Sequence, residues 1–251
     1  MKLNIISIML DGMPFVHRQL ETFNRLRLDW HWSVVSGVAE PVGCTSWCQR
    51  MPPRLSRDGS HEIMLELAQH HPRVSYIGAP SWPGKVAMLN WGMASLTEPG
   101  ILLEVDMDEC WSAHQLEALV MAFEQNPKRD CAIFGCRFFV GPDIVMDHSD
   151  NWLRAWRYDG QQRFLRHEPP DLQGSQQRPF SQEQTKALGL TYDHYAYAYE
   201  SQVAWKEQYY GYKDAVTQWR RLQANTQWPA RVGDYMGWIK DDVMCDRVNK
   251  S

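Results

Sequence analysis

The sequence predicts an α/β protein built on a mostly parallel sheet flanked by helices. Three observations lead there. Over residues 1–140, short apolar runs alternate with segments of helical spacing, which is the pattern of βαβ units. With 251 residues, 44% hydrophobic and 22% charged, the chain can bury one large core and has neither a disordered nor a membrane composition. After residue 140 the alternation stops, and a stretch rich in Pro, Gly, Gln and Arg leads into two helical segments. The expected organisation is an α/β core over 1–140, with 141–251 packed on the same domain.

The elements follow in order. NIISIML (4–10) is a strand closed by Asp11-Gly12, and Pro14 suits the first turn of the helix FVHRQLETFNRL. HWSVV (31–35) is a second strand, ended by Ser36-Gly37. Residues 39–57 hold Pro41, Gly43, Pro52 and Pro53 and are expected as a long surface loop. Ser60 is placed to cap the helix HEIMLELAQHH. RVSYIG (73–78) is a third strand, followed by the loop APSWPG and the helix KVAMLNWGMASL (85–96). ILLEV (101–105) is the fourth strand, AHQLEALVMAFEQ the next helix, and CAIFGCRFFV (131–140) one further strand. Residues 141–190 are expected as irregular structure laid over the sheet. YAYAYESQVAWKEQYY and KDAVTQWRRLQ then form a helical stretch interrupted near Gly211.

A net charge of -4 gives no case for a nucleic-acid binder working by bulk attraction, although Arg154, Arg157, Arg163 and Arg166 could make a local basic patch. MKLNIISIML is too short for a secretory signal, and no apolar run approaches the roughly 20 residues that cross a bilayer, so a cytosolic protein is expected. The six cysteines, at 44, 48, 110, 131, 136 and 245, lack the paired spacing of a zinc ribbon and are expected as reduced, mostly buried thiols. Tryptophan is abundant at 12 copies; most serve packing, and a few could stack on a sugar ring or a base.

One stretch carries the chemistry. In ILLEVDMDECW (101–111) a buried run ends in Glu104, Asp106, Asp108 and Glu109. Their mutual repulsion is costly unless a cation, a proton or water relieves it. If the extended conformation persists, Glu104, Asp106 and Asp108 project to one side. Carboxylates converging at a strand end make a hard-oxygen site suited to Mg²⁺ or Mn²⁺, shared with a substrate phosphate. In parallel sheets ligands bind beyond the carboxyl ends of the strands, and this cluster lies at such an end.

With the opening strand ending in DGMPF, the helix KVAMLNWGM, the strand and acidic motif LLEVDMDE, and the later HYAYAYESQVAWKEQYYGY, the chain resembles a nucleotide-sugar glycosyltransferase of the GT-A (Rossmann-like) fold, closest to glycosyltransferase family 2. The resemblance covers residues 3–140 as architecture. It implies a metal-dependent, hexosyltransferase-like enzyme that moves a sugar from a nucleoside diphosphate donor, UDP-sugar favoured, to an acceptor hydroxyl, with inversion favoured and retention left open. It implies Mn²⁺ or Mg²⁺ held by Asp106 and Asp108, with Asp108 the direct ligand and Asp106 nearer the ribose or metal. His194 matches a late histidine that completes the metal site. Asp11 matches the position facing the nucleotide base. The second strand's end, where the family carries an acid toward the base, is Ser36 here; Glu40 is its substitute. Lys85 and Asn90 fall near the nucleotide. Region 141–251 becomes the acceptor side.

Inverting transfer needs a carboxylate to take the acceptor's proton. Asp147, Asp150, Glu168 and Asp193 are the candidates, with Glu168, in RHEPP, favoured. The acceptor fits a saccharide, a lipid, a protein or a modified base equally well. Two rivals remain: a nucleotidyltransferase, disfavoured because DGMPFVHR lacks a Gly-rich basic loop, and a non-catalytic sugar- or protein-binding module. GAPSWPGKV fails as a P-loop, since Val86 stands where Ser or Thr must ligate Mg²⁺. The dinucleotide and hydrolase-elbow motifs are absent.

Overall fold

A computed structural model describes residues 1–147 and 151–248. The chain runs through β1 (Lys2–Met9), α1 (Phe15–Asn24), β2 (Trp30–Ala39), α2 (Ser60–His70), β3 (Val74–Trp82), α3 (Lys85–Met93) and β4 (Gly100–Glu104). Next come β5 (Glu109–Cys110), α4 (Ala113–Gln125), β6 (Cys131–Phe134), β7 (Cys136–Gly141) and β8 (Ile144–Met146). Then follow β9 (Trp152–Tyr158), the hairpin β10 (Phe164–His167) and β11 (Pro170–Leu172), β12 (Pro179–Phe180) and α5 (Gln182–Ala187). The chain ends with β13 (Tyr192–His194), α6 (Glu200–Tyr210), α7 (Ala215–Gln223), β14 (Ala230–Arg231) and β15 (Met244–Arg247).

The main sheet has seven strands in the order β12-β6-β9-β4-β1-β2-β3. β1, β2, β3 and β4 are mutually parallel, and β9 alone runs against its neighbours β4 and β6. β1 and β4 are apolar on both faces because helices or further strands cover both sides; every residue of β4 is buried. From β1 the chain winds outward to β2 and β3, then crosses back to lay β4 on the other side of β1. The switch point therefore falls between β1 and β4, and a crevice opens beyond their carboxyl ends.

A second sheet, β14-β15-β8-β7-β13-β5, packs across that end of the first. It begins with β5, immediately after the acidic stretch. The predicted single strand 131–140 is in fact two, β6 in the main sheet and β7 in the second, broken at Gly135. The expectation of irregular structure over 141–190 is also corrected. WLRAWRY forms β9 in the middle of the main sheet, its Trp156 fully buried, and PF forms β12 at the edge. The polar residues of WLRAWRY hid a strand whose arginines are all engaged inside the structure.

Three smaller readings change. β2 continues past Ser36 to Ala39 and β3 through Ala79 to Trp82, paired across an irregularity at Gly37. Gly37 has φ +139, and a Cβ there would lie 1.8 Å from the Ala79 carbonyl oxygen, so this crossing needs glycine. Ser60 is the first helical residue rather than the cap: the Asp58 carboxylate accepts from its N–H (3.1 Å) and its hydroxyl (2.6 Å). The Pro-rich segment ahead of α2 is the surface loop expected, but it is tied down at its end. Its Ser56 and Ser60 hydroxyls and Asp58 carboxylate accept from the backbone N–H groups of Asp11, Gly12 and Met13, clamping the turn after β1. Gly211, with φ +69, ends α6 as expected. No cysteine forms a disulfide, and Cys44 is the exposed one. Among the described residues no helix is long and apolar enough to cross a membrane.

Candidate active site

β4 ends at Glu104, and the extended conformation does not persist beyond it. Met107 and Asp108 form a turn closed by the Glu109 N–H donating to the Asp106 carbonyl (2.9 Å). The four acids therefore do not share one face; they divide. Glu104 and Glu109 point inward, 1% and 0% exposed, and Asp106 and Asp108 face a cavity of about 990 Å³.

The inward pair is met by a cation that the sequence reading did not assign. Leu103 pairs with Ala155 across β4 and β9, which sets Arg154 beside the strand end. Its Nη2 donates to Glu109 (2.6 Å) and Asp106 (2.7 Å), and its Nη1 lies 3.3 Å from Glu104. On the far side of Glu104, His167 Nε2 lies at 3.3 Å, and His167 Nδ1 lies 3.2 Å from Glu168, which in turn accepts from Lys85 Nζ at 3.0 Å. The result is a chain of alternating charge from Glu109 to Lys85.

Its proton affinities follow. Burial alone would neutralise His167, but the Glu104 and Glu168 carboxylates outweigh it and raise its pKa to about 9. His167, with Lys85 beside it, holds Glu168 down at about 2. Burial opposes the Asp106 charge, yet Arg154, His167 and Lys85 keep it ionised. Burial drives Glu109 up to about 8 despite Arg154, with the Asp106 and Asp108 charges adding to the rise. Four carboxylates face two buried cations, and a proton retained on Glu109 relieves part of the excess.

The outward pair has another partner. β13 runs antiparallel to β5 with His194 opposite Glu109, and the Tyr195 N–H donates to the Asp108 carbonyl (2.8 Å). This register brings His194 Nε2 to 3.6 Å from Asp108 Oδ1. The other Asp108 oxygen accepts from Gln202 of α6 at 3.2 Å. Burial lowers the pKa of His194, leaving a neutral imidazole, the form that ligates metals. Burial likewise lowers the pKa of Lys206, one turn further along α6, against the pull of Asp108 and Asp106.

A divalent ion fits this arrangement only in part. Among the described residues, the ligand atoms within 4.8 Å of one another belong to Glu104, Asp106 and His167, and to Cys44, His167 and Glu168; Asp106, Asp108 and His194 do not form such a group. Asp106 is already bound by Arg154. Asp108 and the neutral His194, by contrast, face each other across a gap that a shared ion can fill, with waters and substrate oxygens as its other ligands.

Of the other predicted residues, Asp11, Lys85 and Glu168 line the cavity and Ser36, Glu40, Asn90, Asp147 and Asp193 do not. Asp11, in left-handed conformation at φ 58, accepts two bonds from Arg54 and one from the Arg57 N–H (2.8 Å); burial opposes its charge, but Arg54 and Arg57 lower its pKa. Ser36 is fully buried against Ser56. Glu40 pairs with Arg50. Asn90 spends its amide on both backbone groups of Phe164, pinning β10 to α3. Asp193 is held by both Arg137 nitrogens (2.6 and 2.7 Å), and Asp147 is exposed. Asp150 lies outside the described residues. Arg154, His167, Arg54, Gln202 and Lys206 went unassigned. For Arg154 the usable signal was the Trp-Leu-x-Ala-Trp pattern around it, which reads as a buried strand.

Residues 55–178 match the model of glycosyl transferase family 2, a stretch that contains Asp106, Asp108, Arg154, His167 and Glu168. The matched stretch is just under half of the chain, which in this part is similar to that family. No curated protein matches the chain. Solved structures similar to this chain include S. aureus TarS 1–349 in complex with UDP-GlcNAc (16% identity, 56% of this chain and 36% of that one, TM-score 0.40). The same TarS segment alone gives 12% identity, 56% and 37% coverage and a TM-score of 0.38. CMP:2-keto-3-deoxy-manno-octonic acid synthetase complexed with CTP gives 11% identity, 62% and 74% coverage and a TM-score of 0.37. The match spans little more than a third of TarS 1–349. The assignment therefore rests on the family match and on the switch-point sheet, not on these likenesses.

Proposed function

We propose that the protein transfers a sugar from a nucleoside diphosphate sugar to an acceptor hydroxyl, with inversion, using a divalent cation held by Asp108 and His194. The observation that carries this is the Asp108–His194 pair, 3.6 Å apart at the mouth of the β1/β4 switch point and open to the cavity. A mixed carboxylate and imidazole set suits Mn²⁺. When bound, the ion would stabilise charge on the departing diphosphate.

The chain's own groups do the rest. Arg154 fixes Asp106 toward the ribose side of the donor. Lys206 and Lys85 supply positive charge for the diphosphate, and the depressed pKa of Lys206 recovers when an anion arrives. Glu168 is the one proposed base among the described residues that reaches the cavity. At a pKa of about 2, held down by His167 and then by Lys85, it is a weak base, and it gains basicity as Lys85 swings from it toward the phosphates and His167 gives up its proton.

Isothermal calorimetry of UDP with and without Mn²⁺ tests the proposal. Wild type binds UDP more tightly with Mn²⁺, and Asp108→Ala removes that increment, on the order of a hundredfold in affinity. Equal binding by the variant removes the metal site. Glu168→Gln slows transfer by roughly 10²–10⁴-fold if it is the base; near-normal turnover assigns the proton elsewhere.

A further inference from the structure

Resting on that function, we propose that an aromatic wall formed by Trp47, Tyr210 and Trp205, backed by the buried Tyr209, is the acceptor subsite, and that it takes a pyranose ring of a saccharide. Helix α6 joins the two halves of the cavity. Gln202 and Lys206 face Asp108 on the donor side, and Trp205, Tyr209 and Tyr210 line the cavity toward the helix end. Trp205 stacks on Tyr209 (centroids 4.8 Å, planes 24° apart), Tyr210 meets Tyr209 at 5.0 Å, and Trp47 lies flat on Tyr210 (5.1 Å, 14°).

Packing does not account for Trp47. Trp30, Trp32 and Trp156 are fully buried, whereas Trp47 is 56% exposed and, just outside the cavity lining, stacks on Tyr210, which does line it. A rigid, exposed aromatic face continuous with a cavity marks a binding surface. The polar groups beside it narrow the occupant. Lys85 Nζ lies 5.9 Å from the Tyr209 ring centroid and holds Glu168, so an ammonium–carboxylate pair borders the rings. A pyranose offers an apolar C–H face for the rings and a rim of hydroxyls for Glu168 and Lys85, and this places one hydroxyl at the proposed base. An acyl chain would strand that charged pair. A polynucleotide finds a net charge of -4, which gives no bulk attraction for its phosphates.

Saturation-transfer NMR with maltotriose, cellotriose and chitotriose, alongside the single strand dT6, tests the subsite. Expected are ring C–H enhancements for at least one trisaccharide, with affinity about tenfold weaker in Trp47→Ala and in Tyr210→Ala, partial recovery in Trp47→Phe, and no change in Trp91→Ala. Trp91 is an equally exposed control (58%) that packs on Trp82 and not on the cavity-lining Tyr210. Absence of any trisaccharide signal, equal affinity in Trp47→Ala, or stronger binding of dT6 overturns the proposal. Calorimetry of wild type with UDP and Mn²⁺ separates the two readings. If UDP fails to bind, the donor function falls; if UDP binds and the trisaccharide result is negative, only the aromatic subsite falls.

Discussion

Glu104 and Glu109 differ from Asp106 and Asp108 in fate although all four lie within six consecutive residues. The first two are sealed inside: Arg154 and His167 meet the Glu104 charge, and Glu109, beside Arg154, retains a proton. Of the second two, Asp106 shares Arg154 and keeps one edge toward the cavity, and Asp108 has the neutral contacts Gln202 and His194, with Lys206 nearby but no cation bonded to it. An acid with an internal cation is structural. An acid left with neutral partners at a cavity is available to an external cation. The chemistry of this site is thus set less by how many carboxylates there are than by which of them Arg154 reaches.

The sharpest way to break that contrast is Arg154→Met. It strands Glu104 and Glu109 without a counter-charge and should cost about 3–5 kcal/mol in urea denaturation. Adding Glu104→Gln and Glu109→Gln should recover part of the loss, because neutral amides need no cation. A loss under about 1 kcal/mol for the single variant would mean that these acids are protonated or hydrated, and the division would collapse. Asp108→Ala should behave oppositely, losing Mn²⁺-dependent UDP binding with a stability change within about 1 kcal/mol. Comparable destabilisation by both variants would place Asp108 with the structural acids.

This division shows what could be read in the sequence and what could not. The βαβ alternation, the acidic strand end, Asp108, His194 and the cavity position of Glu168 are local patterns, or follow from a resemblance carried by them. Arg154, His167 and Lys206 could not be reached in that way. Arg154 depends on β9 entering the main sheet antiparallel from a segment whose polar composition resembles a loop. His167 depends on Asn90 pinning the β10 hairpin. Asn90 and Asp193 were credited with function because of where they fall along the chain. Their bonding capacity is spent on Phe164 and Arg137, which only tertiary contacts reveal.

Stability against pH tests the inward side more gently. His167 binds its proton more tightly folded than unfolded, so its contribution is complete below pH 6.5 and is lost as pH rises through about 9. Glu109, raised from 4.5 to about 8, adds to the same alkaline decline. Glu168 acts in the other direction: its contribution is complete above pH 4.5 and is lost as pH falls through about 2. The unfolding free energy from urea titration should therefore fall from pH 4.5, where the Glu109 contribution starts to be lost, to about 9, by about 1–3 kcal/mol in total. His167→Gln should flatten that limb without altering the acid one. An unchanged alkaline slope in the variant would remove His167 from the charge chain.

The smallest effect belongs to Asp193, an acid that sequence position placed among the candidate bases. It sits beside His194 on β13, yet its carboxylate is taken by an exposed arginine at the surface and does not line the cavity. A solvent-screened pair of this kind contributes about 0–1 kcal/mol. Asp193→Asn should shift the urea midpoint by no more than that, and should leave donor turnover within about twofold of wild type. A loss of two orders of magnitude would mean that the acceptor reaches the protein from the β13 face, which would move the boundary between structural and functional acids from Arg154 to the outer edge of the second sheet.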